Sequence, residues 1–154
     1  MKTFAMFAVL SLAVAGAVGA ADRSASDAYL PGFGEFMSAT QMRHAKLWFA
    51  GDAQNWDLAA FELDEIKEGL EDATKIRPTY EGIPVADMIK TILNPKIEQL
   101  EKAVEGKNSA QFIAAFDALT EGCNSCHTNA GKPFIRIQRP TAPPFSNQDF
   151  APPK

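Results

Sequence analysis

An all-α fold, an antiparallel four-helix bundle with an extended proline-rich C-terminal tail, is predicted by three features of this 154-residue chain. Apolar residues recur at spacings of three and four over four separate segments. No segment keeps the apolar–polar alternation of a strand. Short breaks marked by Gly, Pro or Asn part the segments, and short connections make consecutive helices antiparallel neighbours.

The first helix is expected over about 31–50, with Pro31 in its first turn, a stripe of Phe33, Phe36, Met37, Thr40, His44, Leu47 and Trp48, and Gly51 as its stop. The second, about 55–76, carries Trp56, Ala59, Leu63, Ile66, Leu70 and Ala73 on one face. Asp57, Glu62, Asp64, Glu65, Glu68, Glu71 and Asp72 lie between them and are expected on a solvated outer face, with docking of a basic partner as the alternative use. The third, about 85–105, is apolar at Val85, Met88, Ile89, Ile92, Leu93, Ile97, Leu100 and Val104; Pro95 should kink it or split it at Asn94. The fourth starts at Asn108, with Gln111 placed as in a capping box, and runs through Phe112, Phe116 and Leu119 to Gly131. Residues 132–154 hold six prolines in 23 positions and cannot continue a helix. Phe134, Ile135, Ile137, Phe145 and Phe150 are expected to anchor this tail as a strap over the helices.

The chain opens MKTFAMFAVLSLAVAGAVGA, one lysine, an apolar run and small residues, which has the pattern of a secretory signal peptide over 1–20. The run is shorter than the roughly 20 residues of a spanning helix. This divides the chain into a signal peptide (1–20), a helical domain (21–131) and the tail (132–154), and predicts a periplasmic protein without stable membrane insertion after cleavage. The formal charge of −4 becomes −5 when Lys2 leaves with the signal, and no basic cluster marks a nucleic-acid partner.

The only two cysteines fall in CNSCH, residues 123–127. On a helix Cys123, Cys126 and His127 stand at i, i+3 and i+4, so all three side chains leave one face. C-x-x-C-H is the attachment signature of a c-type haem, in which two thiols bond the vinyl groups and the adjacent imidazole reaches the iron. Three other uses stay open. A zinc site would have His44 as its only additional histidine and no further cysteine. A thioredoxin-type redox pair normally follows a strand. A disulfide between residues three apart closes a very short loop and stabilises little.

With one CNSCH near the end of the last of four helices, in an exported chain, the sequence resembles the class II cytochromes c, cytochrome c prime and its low-spin relatives. The resemblance covers about 31–131 and implies one covalent haem c, with thioethers at Cys123 and Cys126 and His127 as the proximal iron ligand. The long tail departs from it. Class I cytochromes c place a methionine ligand after the motif, whereas Met1, Met6, Met37, Met42 and Met88 all precede it. A sixth ligand is therefore sought on the first helix, whose start lies beside the end of the fourth: Met37, with His44 as the alternative and an open position as the third case. Phe33, Phe36, Trp48, Phe112 and Phe116 are core residues by default, some of which would wall the haem. Arg43, Lys46, Arg77, Lys132, Arg136 and Arg139 are candidate propionate partners.

The expected function is one-electron transfer between redox partner proteins of the periplasm, not enzyme catalysis. The alternatives are a pentacoordinate haem protein that binds NO, and a haem subunit docked to an oxidoreductase. A homodimer is compatible with the chain.

Overall fold

The computed structural model describes residues 29–154; the expected signal peptide lies outside them. The described residues are all-α, with one isolated bridge between Tyr80 and Ile83 and no strand. The elements are α1 (Phe33–Asp52), α2 (Trp56–Ile76), α3 (Val85–Met88), a π-helical turn (Ile89–Leu93), α4 (Asn94–Glu105) and α5 (Ser109–Asn129). α3, the π turn and α4 follow one another without a break, so four rods are present. α1 packs on α2, α2 on α4, α4 on α5 and α5 on α1. Among the described residues no helix is long and apolar enough to cross a membrane.

Local chemistry explains most boundaries. Asn55 caps α2 by accepting from Leu58 N at 3.3 Å, and Asn108 caps α5 by accepting from Gln111 N at 3.0 Å. Only half of the expected capping box forms, because the Asn108 amide donates to Ala103 O at 3.0 Å. Pro31 stands before the N-cap Gly32 and outside α1, not in its first turn. Pro95 neither breaks nor splits the third rod. The helix loosens by one residue ahead of it, the Asn94 amide reaching back five residues to Ile89 O, and Pro95 then occupies the first turn of α4, where no amide donor is needed.

Gly51 does not end its helix. It sits inside α1, which runs on to Asp52, and the chain reverses at Gln54 with a φ of 57°. The glycine is required by close packing: a Cβ at residue 51 would lie 2.1 Å from Cζ of Phe112. A further correction concerns the acidic run of α2. Glu62 is 1% exposed and accepts from Arg43 at 3.1 Å, while Glu65 pairs with the same guanidinium at 2.8 Å. The Ala59, Leu63, Ile66, Leu70 and Ala73 stripe is buried as its periodicity requires.

The core is filled unevenly. At one end Trp48, Trp56, Phe112 and Phe116 form an aromatic cluster with ring centroids 5.1–6.2 Å apart. At the other end the helices enclose a cavity. α1 and α5 run in opposite directions past both, since His44 meets Thr120 and Trp48 meets Phe116 and Phe112.

The tail lies on the helices, but unequally. Phe150 is buried against Phe49 at a centroid distance of 5.6 Å, and Ala151 O accepts from the Asn55 side chain at 3.0 Å. Phe134 is 77% exposed, and Ile135 and Phe145 are also exposed, so these are not buried anchors.

Candidate functional site

α5 ends in a Schellman motif: Lys132 N donates to His127 O at 2.8 Å and Gly131 N to Thr128 O at 3.0 Å. Gly131 has the left-handed φ of 70° that this motif needs. The last two turns of α5 hold Cys123, Cys126 and His127 on one face, and the chain turns back beside them.

All three side chains line a single cavity of about 290 Å³, at the lower edge of the ~300–1000 Å³ typical of small-ligand sites. Phe33, Met37, Thr40 and His44 of α1 close one side; Ile66 and Leu70 of α2 another; Val85, Met88, Ile89 and Leu93, from α3 and the π turn, a third. The π turn therefore contributes directly, with Ile89 and Leu93 both buried. Of the aromatic candidates, Phe33 borders the cavity, stacked on Tyr80 at 5.3 Å, whereas Trp48, Phe112 and Phe116 belong to the packed end. Phe36 is half-buried and borders neither.

Burial pushes the Cys123 thiol up to about 12, with the neighbouring Cys126 adding to it, and burial pushes Cys126 up to about 11. Both are free thiols. A dithiol redox centre works through a thiolate held at low pKa, so this apolar setting disfavours that use. Nor do the described residues bring three or more His, Cys, Asp or Glu side chains together for a bare metal ion, which weighs against the zinc alternative.

His127 is half-buried, and its Nδ1 lies 3.0 Å from Ile135 O. A carbonyl only accepts, so Nδ1 carries a proton, and in the neutral ring Nε2 keeps its lone pair, the tautomer of a ligating imidazole. His44 is differently committed. It is 4% exposed, its ring lies 4.3 Å from that of Phe116, and Nε2 is 2.8 Å from Thr120 Oγ1. The Thr120 hydroxyl already donates to Phe116 O at 2.9 Å, so His44 Nε2–H must be the donor. His44 is a hydrogen-bonded core histidine at the cavity edge. Met37 has no such tie. Counting seven residues back from His44 and seven on from Thr120 sets Met37 level with His127.

Of the six basic candidates, Lys132 alone borders the cavity, paired with Glu81 at 2.9 Å. Arg43 is held by Glu62 and Glu65, Arg77 donates to Pro31 O at 3.3 Å, and Lys46 lies over the Phe145 ring. Arg139 grips both oxygens of Asp117. Arg136 borders a separate surface groove. Charge alone does not reveal which cations are already paired or which surface they face.

The donor set fits a flat cofactor held at its edge by two sulfurs and at its centre by one imidazole, inside walls that are almost wholly hydrocarbon.

Burial lowers the His44 pKa from 6.5 to about 4. Because the folded value lies below the unfolded one, the neutral ring favours folding above pH 6.5. That contribution is lost as pH falls through 4, a change of about 3 kcal/mol. Urea unfolding at pH 7 and pH 4 should show wild type losing that much more than His44→Gln; parallel losses would locate the acid sensitivity elsewhere.

No family model, curated protein or solved structure matches the chain.

Proposed function

We propose that the chain is an exported cytochrome of the class II type, an antiparallel four-helix bundle with a C-terminal strap, carrying one covalent haem c and acting as a one-electron carrier between periplasmic redox partners. The observation that carries this reading is the convergence of Cys123, Cys126, His127 and Met37 on one apolar cavity, with His127 Nε2 left free by the Nδ1 bond to Ile135. The bound haem supplies a one-electron iron couple. Every other part of the task falls to the protein.

Cys123 and Cys126 would hold the group at its edge through thioethers, so it would stay with the chain at any dilution. His127 would offer Nε2 to the iron. Met37, uncommitted and level with His127, would be the second ligand in preference to His44, whose Nε2 already donates to Thr120. The surrounding Leu, Ile, Val and Phe side chains exclude water, and Lys132 is the cation placed to meet a propionate. A methionine ligand raises the potential relative to two imidazoles, which suits a carrier feeding higher-potential acceptors.

The absorption spectrum of the reduced protein tests this. Wild type should be low-spin, and Met37→Ala should turn high-spin and lose the weak near-infrared sulfur-to-iron band of the oxidised form, while His44→Ala leaves that band in place. A wild-type spectrum that is already high-spin would replace the carrier with a protein of open sixth position that binds gases such as NO. The reverse outcome for the two variants would transfer the ligand role to His44.

A further inference from the structure

The tail that sets this chain apart from the family it resembles runs back along α5, pinned at successive levels. A turn over 132–135, with Pro133 at its second position and Ile135 N donating to Lys132 O at 3.0 Å, brings the Ile135 carbonyl to the ring of His127. Two residues on, the Asn124 side chain clamps Ile137 from both sides. Its Nδ2 donates to Ile137 O at 2.9 Å, and its Oδ1 accepts from Ile137 N at 2.7 Å. Further still, Arg139 is held by both Asp117 oxygens and lies 4.3 Å from the Trp48 ring. Ile135 and Ile137 also border the cavity.

We propose that residues 132–139 form a positioning strap for the proximal histidine: Asn124 and Arg139 fix the strap in register so that the Ile135 carbonyl accepts the His127 Nδ1 proton, and this bond sets the donor strength of Nε2 toward the haem iron. The proposal rests on the haem reading. Three observations converge on it. The accepting group is a backbone carbonyl, whose position depends entirely on where the strap lies. The strap is held by paired, directional bonds at 124–137 and 117–139, the first only two residues beyond Ile135. The same histidine is tied to the strap through its own carbonyl by Lys132 N at 2.8 Å. A hydrogen bond from the outer nitrogen fixes ring orientation and raises the basicity of the ligating one. A more basic ligand favours the oxidised iron and lowers the potential.

The strap accounts for an otherwise unremarked residue. Asn124 is the first variable position of C-x-x-C-H, where haem attachment makes no demand, and here it faces Ile137 with both halves of its amide.

The test uses the full-length haem-loaded protein and the double variant Asn124→Ala, Arg139→Ala, measured on the haem-containing fraction. The expected result is an upward shift of the reduction potential, with faster solvent exchange of the His127 Nδ1 proton by NMR than in wild type. An unchanged potential together with an unchanged exchange rate overturns the proposal. Wild type provides an independent check: an Nδ1 proton exchanging as fast as that of a free imidazole also overturns it. Should wild type hold no covalent haem, the haem reading fails by itself, and Nδ1 protection in the haem-free chain still decides whether the strap holds His127.

Discussion

Replacing Cys123 and Cys126 together by alanine is expected to abolish covalent haem retention. Extraction with acidified acetone should strip the variant completely and leave wild type coloured. The two thiols are the only ones in the chain and both face the cavity, so no other side chain can substitute. Each single variant should retain haem through the remaining bond. If the double variant kept its haem through extraction, the attachment would have to be reassigned and the reading of CNSCH abandoned. Stability should fall in step, since an empty cavity forfeits the contacts that a bound group makes with its lining. The haem-free variant should therefore melt below the loaded wild type.

Gly51→Ala is expected to be the most damaging single-methyl change in the helices. The added Cβ would meet Phe112 Cζ at 2.1 Å and Cε1 at 2.2 Å, and Phe112 is fully buried between Trp48, Trp56 and Phe116. Overpacking of this kind costs about 1–3 kcal/mol and sometimes more. Against it stands the better helix propensity of alanine, about 1 kcal/mol. A net loss of about 1–2 kcal/mol is expected in urea unfolding. The double variant Gly51→Ala, Phe112→Leu should lose less than the two single losses added, because the shorter Leu makes room for the methyl and the methyl fills part of the void. Strict additivity would show that the ring and the glycine do not oppose one another.

These two sites differ in how visible they were. CNSCH carries its chemistry in the identity of its residues, and the helical spacing of 123, 126 and 127 alone puts three donors on one face. The inward stripe of α2 and the caps Asn55 and Asn108 are local signals of the same kind, set by residues three or four apart. Gly51 reads as a helix stop because periodicity tells which face turns inward and not how closely two faces approach. Glu62 reads as solvated like its acidic neighbours, since its partner Arg43 lies on another helix. The π turn arises from where the amide missing at Pro95 is absorbed, a choice made by the packing of Ile89 and Leu93. In the tail the apolar residues drew attention, yet between 132 and 139 the ties are polar, through Asn124, Asp117 and backbone groups. Such pairings have no sequence period to reveal them.

The uneven filling of the two ends has a consequence for how the chain matures. Trp48, Trp56, Phe112 and Phe116 complete one end from the chain's own atoms, so α1 and α5 can zip together there first. The opposite end surrounds the cavity lined by Met37, Leu93, Cys123 and Cys126, and a region whose side chains face a cavity opens at lower free energy than a filled core. On the haem reading, the filled half would fix the register of the helices while the cavity half keeps both sulfurs within reach of the machinery that attaches the group.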